Sequence, residues 1–335
     1  MIRDINSSEW ERISDMNTRR YHHAATLLNN GKILVTGGYS EVAEYMSAEL
    51  YDPKTDTWTY TSPMNEKRYS HSASLLHDGR VLVTGGLKEK HRLTSSEIYD
   101  PETETWTRTG NMSIKRSEHS ATVLFNGAVL VIGCGSTHTE LYDTTTEIWT
   151  VVVSRVSSSG CHAISVLPDN RILKTGGYNA KASNTAQIYD PSTKLWINTT
   201  NMYFTRSCPT SIMLNNGKVL VTGGKKNDDD KSSEIYDPKD ESWQIISGRG
   251  AKRYHHTASL LNDGKVLITG GSSGGKILNT TQLYNPLTNE WSDMADMNCR
   301  RSVHYAFTLP NDIVLVIGGE PDGLKGCSGE FYRFS

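Results

Sequence analysis

Six arginines and six histidines recur at fixed spacing, and together they could bind an anion. Arg20, Arg68, Arg116, Arg206, Arg253 and Arg301 each stand 17 residues before a glycine at an equivalent place, from Gly37 to Gly318. Three residues after that arginine position come His23, His71, His119, His162, His256 and His304. A guanidinium forks onto a carboxylate through paired N–H groups, so a rim of them would suit an acidic peptide or ligand. The same regularity favours a role inside the repeat, since periodic residues serve what every repeat needs. The partner is then the side chain before each recurrent tyrosine: Glu49, Glu97, Glu140, Gln187, Glu234, Gln282 and Glu330.

Departures from the period are sharper candidates. Ser159 stands where the other units carry arginine, and Lys174 stands where they carry Val35, Val83, Val131, Val221, Ile268 and Val316. A lysine on an inner strand is costly unless its charge reaches water or a partner. Lys174 therefore either reaches a ligand site or replaces the missing arginine structurally. A second break, Cys134, interrupts a glycine pair in the preceding unit.

Other chemistry is poorly marked. His22-His23 and His255-His256 could hold a metal, but each pairs a repeat histidine with one extra. Asp228-Asp229-Asp230 lacks the spaced ligands of a calcium loop. No Gly-x-Ser-x-Gly, His-Glu-x-x-His or phosphate loop occurs. No metal and no cofactor are expected, and no catalytic residue can be named. Five cysteines without a CxxC pair argue against a disulfide framework and for a reducing compartment. With 35 basic and 37 acidic residues, bulk charge does not point to nucleic acid or an anionic membrane. No apolar run reaches the ~20 residues of a membrane helix. A monomer in the cytoplasm is expected, without a secretion signal.

The elements that carry these residues follow from repetition. Trp10, Trp58, Trp106, Trp149, Trp196, Trp243 and Trp291 are spaced 48, 48, 43, 47, 47 and 48 residues apart. Tyr51, Tyr99, Tyr142, Tyr189, Tyr236 and Tyr284 each precede a tryptophan by seven. Within the first unit, Ala24–Leu28 and Lys32–Thr36 flank the hairpin signal Asn29-Asn30-Gly31. A polar loop follows Gly37-Gly38, then Ala48–Tyr51, a turn at Asp52-Pro53, and Thr57–Thr59. Four short strands in about 47 residues is the size of a propeller blade.

The order Arg-x-x-His, apolar strand, Asn/Asp-Gly, apolar strand, Gly-Gly, loop, Glu-x-Tyr-Asp-Pro, Trp resembles the kelch repeat in its galactose-oxidase-like flavour. The resemblance implies an all-β, seven-bladed β-propeller of four-stranded antiparallel blades in one domain, residues 1–335. The blades fall near 16–63, 64–111, 112–154, 155–201, 202–248 and 249–296, and the last joins 297–335 to 1–15. That last unit ends without a tryptophan, so the strand around Trp10 should complete it beside Phe331-Tyr332. Copper-binding relatives carry a Tyr-His pair at the start of the first strand. Here Tyr21 and Tyr254 fall one residue too early, on the other side of the strand.

Propeller connectivity places the b–c and d–a connections on one face. The a–b and c–d turns are near copies of one another, whereas the b–c loops diverge, and divergent loops are where specificity resides. The expected function is a binding or scaffold module that recognises a protein or peptide, an acidic one included, through the b–c/d–a face. Its candidate ligand residues are the six arginines, Lys174, Tyr39 and Tyr178. The alternative is a sugar-directed oxidase, epimerase or lyase with its site at the channel mouth.

Overall fold

The computed structural model describes residues 9–40, 43–133, 136–157, 159–225, 233–248, 252–321 and 327–334. Cys134, the Asp228–Asp230 stretch and Glu41-Val42 lie outside them. The architecture is all-β: the described residues form seven four-stranded antiparallel sheets, the blades of a β-propeller fold, with a 3-10 turn at Pro310–Asp312. No helix among the described residues is long and apolar enough to cross a membrane.

The chain divides into two compact units. Met16–Lys174 with Gln187–Asn198 carries the first three blades and all but two strand residues of the fourth, Thr175 and Ala186. Blade one is Ala24–Leu27, Ile33–Thr36, Ala48–Asp52 and Thr57–Thr61. Blade two is Ser72–Leu75, Val81–Thr84, Ser96–Asp100 and Thr105–Thr109. Blade three is Ser120–Val123, Val129–Ile132, His138–Asp143 and Ile148–Arg155. Blade four is Ala163–Val166, Ile172–Thr175, Ala186–Asp190 and Leu195–Asn198.

The other unit is Met1–Asp15, Thr175–Ala186 and Thr199–Ser335. Blade five is Ser207–Met213, Val219–Lys225, Ser233–Asp237 and Ser242–Ile246. Blade six is Thr257–Leu260, Val266–Thr269, Thr281–Asn285 and Glu290–Asp293. Blade seven is Tyr305–Leu309, Ile313–Ile317, Gly329–Arg333 and, from the start of the chain, Trp10–Arg12. Trp10 pairs with Tyr332 and Arg12 with Glu330, as the missing tryptophan requires.

The second strand of each blade is covered on both faces, which explains its near-continuous apolar sequence. Cores form between successive sheets. Leu34 and Leu50 of blade one pack with Val81, Val83 and Tyr99 of blade two, and Leu267 of blade six packs with Val314 and Val316 of blade seven. The seven-residue tyrosine–tryptophan spacing is a cross-strand pair: Tyr51 faces Trp58 at 4.8 Å between ring centres, and Tyr284 faces Trp291 at 5.0 Å. Such pairs contribute about 0.5–1.5 kcal/mol beyond their area.

The glycine pairs are set by close approach. Gly37 lies at φ +60, and a Cβ there would stand 2.3 Å from the carbonyl oxygen of Arg68 in the next blade. No other residue fits that contact.

Candidate functional site

Every periodic arginine is buried inside its blade. Arg20 is 1% exposed, and its Nη1 donates to the Gly37 and Ser47 carbonyls, both at 2.8 Å. Its Nη2 meets Glu49 Oε1 at 2.7 Å. Arg68 repeats this with Gly85 and Glu97, Arg206 with Gly223 and Glu234, and Arg301 with Gly318 and Glu330. Arg116 reaches Glu140 through Nε at 3.1 Å and Gly133 O through Nη1 at 3.0 Å. Arg253 has Gln282 in place of the acid, at 3.0 Å, and burial lowers its pKa to about 10.

The carboxylates do a second job. Glu49 accepts the backbone N–H groups of Asn17 and Thr18, and Glu234 those of Tyr203 and Phe204. Each arginine–glutamate pair thus ties the incoming d–a segment to the strand end and the glycine turn. With side chains 0–1% exposed, these guanidiniums present no fork to an outside ligand. The spacing that suggests a binding rim is the spacing of an internal clamp.

The histidines lie just inside the clamp. His71 bonds Thr36 Oγ1 through Nε2 at 2.8 Å, His119 bonds Ser72 Oγ at 2.9 Å, and His304 bonds Thr269 Oγ1 at 2.9 Å. Burial, then neighbouring cations, lowers their pKa values: to about 3 for His119, and well below 6.5 for His71, His256 and His304. His23 and His162 also fall to about 3. All six are neutral at physiological pH.

Blade four solves the same problem with other residues. Lys174, 1% exposed, reaches from the second strand and donates to Ser159 Oγ at 2.7 Å and Ser157 Oγ at 2.9 Å. Its ammonium therefore lies beside the residue that replaces arginine. Gln187 Oε1 accepts the Ser157 N–H at 2.8 Å, as glutamate does elsewhere. Burial alone lowers the Lys174 pKa to about 8, with no carboxylate among the described residues to raise it. This geometry gives Lys174 the place of the absent guanidinium.

The exposed chemistry sits on the b–c connections. In the first unit, Tyr39 is half-buried in a cluster with Tyr21 (6.1 Å between ring centres), His22 (5.5 Å) and Tyr69 (5.0 Å). The exposed Arg19 lies over the Tyr21 ring at 5.3 Å. Tyr69 pairs with Leu87, where a small hairpin begins: Leu87–Lys88 against His91–Arg92. Its tip, Glu89 and Lys90, holds φ +49 and +65 without glycine, and both Glu44 carboxylate oxygens accept the Glu89 N–H at 3.0 and 2.9 Å. Glu89, Lys90, His91 and Arg92 are all exposed.

In the other unit, Tyr178 is 52% exposed on a hairpin with Asn179, Lys181 and Ala182. A further hairpin, Ser272–Ser273 with Lys276–Ile277, turns on Gly274-Gly275. The sequence marks Tyr39 and Tyr178 but neither Glu44 nor these hairpins. Only the glycine pair at 274–275 carries a turn signal. On the opposite turns, a cleft of about 340 Å³ is lined by Asn29, Asn30, Asp78, Arg80 and Glu102.

The cysteine count argues against a disulfide framework, yet one bridge is present: Cys299 and Cys327 form a disulfide in blade seven, their Cα atoms 6.4 Å apart. An odd total does not prevent one pair from meeting when the fold brings them together.

Comparison with known proteins agrees with this architecture. A family model described as the KLHDC2/KLHL20/DRC7 Kelch-repeats domain matches residues 1–157, and the Kelch motif matches 161–203 and 253–298. No curated protein matches the chain. Among solved structures, a fungal alcohol oxidase of the AA5 family, described as being in complex with copper, superposes with a TM-score of 0.80. That match covers 98% of this chain and 76% of the other at 20% identity, a likeness of fold alone. With kelch matches in both halves of the sequence and seven four-stranded blades built on the repeat, the chain belongs to the kelch-repeat family.

Proposed function

We propose that the chain is a binding module that recognises a protein or peptide through its b–c hairpins, with acidic segments as the preferred ligands. The observation that carries this reading is the division of labour between charges. The arginines of the repeat are consumed inside the blades, whereas Lys90 and Arg92 project on a hairpin pinned by Glu44, beside the Tyr21–Tyr39–Tyr69 cluster. Tyrosines supply contact area at low entropic cost, and exposed cations select the sign of the partner.

A displayed random-peptide library tests this. Selected sequences should be acidic, should bind less tightly as salt rises, and should become basic against the Lys90→Glu/Arg92→Glu variant. Selection that yields no enriched sequence, or the same sequences for both chains, rejects the proposal.

A further inference from the structure

The disulfide of blade seven is chemically lopsided. Cys299 is 1% exposed, while Cys327 is half-buried and the more accessible of the two. Arg301 Nη2 stands 3.3 Å from Cys327 Sγ, while also holding Glu330 Oε1 at 2.9 Å. On the other side, the Cys299 backbone N–H donates to Glu330 Oε1 at 3.0 Å, and Asn298 occupies Oε2 at 2.6 and 2.8 Å.

Both sulfurs and the Glu330 carboxylate fall within 4.8 Å of one another, the spacing of a metal site. A guanidinium against one sulfur adds positive charge where a cation would go, and the carboxylate is already engaged. Glu330 Oε1 also lies 3.8 Å from Cys327 Sγ, so the anion is shared by both sulfurs. The guanidinium 3.3 Å from Cys327 and its greater exposure favour a thiolate there over one at the buried Cys299.

We propose that Cys327 is a thiol–disulfide exchange site for low-molecular-weight thiols, with Cys299 as its resolving partner. An incoming thiolate bonds to the open Cys327 sulfur. The Cys299–Cys327 bond breaks, and Cys299 leaves as a thiolate that takes a proton. A second thiolate then attacks the outer sulfur of the mixed disulfide, releasing Cys327 as a thiolate beside Arg301 and carrying away the small disulfide. Two thiols are oxidised to one disulfide as the protein bridge is reduced to two thiols. In the reverse direction, the Cys327 thiolate attacks a small disulfide, and Cys299 closes the bridge by displacing the small thiol.

Two measurements decide the matter. In the first, the Cys299→Ser chain is incubated with oxidised glutathione from pH 5 to 9, and adducts are located by peptide mass mapping. A Cys327 adduct should form with a pH–rate midpoint at least one unit below the ~8.5 of an unassisted thiol. An unreacted Cys327, or a midpoint at or above that value, overturns the proposal. The second keeps the wild-type chain and applies graded dithiothreitol followed by alkylation. Both cysteines should be protected before reduction, and Cys327 should be labelled faster than Cys299 afterwards. Two free thiols in the air-oxidised chain, or faster labelling of Cys299, also overturns it.

Discussion

The burial of a guanidinium makes its acceptor side chain matter in a way that the partner in a surface ion pair does not. Glu49→Ala leaves Arg20 charged and enclosed and strips an acceptor from the Asn17 and Thr18 N–H groups. Removing one partner of a buried pair costs about 3–5 kcal/mol, read as a drop in the urea midpoint. Glu49→Gln should cost visibly less, because blade six already runs on Arg253 and Gln282. Equal losses for the two variants would show that charge rather than hydrogen bonding holds the clamp.

The histidines predict acid lability. In the unfolded chain they protonate near 6.5, whereas His23, His119 and His162 do so only near 3 when folded. Between these values the unfolded state binds more protons, so stability falls with pH by about 1.4 kcal/mol per unit for each histidine. Urea midpoints measured from pH 7 to 4 should fall steeply below 6.5. A flat profile would mean that the imidazoles are accessible to protons in the native state.

At the scale of elements, legibility follows periodicity. The tryptophan and tyrosine ladders place the strands and their pairing because each blade repeats one solution. Apart from the one that turns on Gly274-Gly275, the b–c hairpins carry no turn signal in the sequence, because each is written differently. Glu89-Lys90 adopts a conformation usually reserved for Asn-Gly, and no local signal announces that Glu44, 45 residues earlier, will hold it. The role of Lys174 is legible only as a violation, since Ser159 has to be known to sit beside it. The disulfide depends on Cys299 and Cys327, 28 residues apart, meeting around Glu330, which the cysteine count does not encode. Non-glycine residues in the left-handed region cost roughly 1–2 kcal/mol each. The Glu89→Asn/Lys90→Gly variant should therefore slow amide exchange across Leu87–Arg92 by tenfold or more. Unchanged exchange would show that Glu44 already removes the strain.

At the scale of the whole molecule, blade seven is the one built from both ends of the sequence. Trp10 is 5% exposed; its Nε1 donates to Ala295 O at 2.9 Å, and Asn298 Nδ2 reaches its carbonyl at 2.7 Å. Trp10→Ala should cost about 3–5 kcal/mol. It should also raise exchange along Gly329–Arg333 before other blades are affected, which hydrogen exchange with mass detection resolves; simultaneous loosening of all blades would contradict that order.

The same strand order fixes when this sheet can be finished. Trp10 leaves the ribosome long before its neighbour Tyr332 is synthesised. Until Tyr332 emerges that tryptophan lacks its strand partner, so translation of all six other blades precedes the completion of this one.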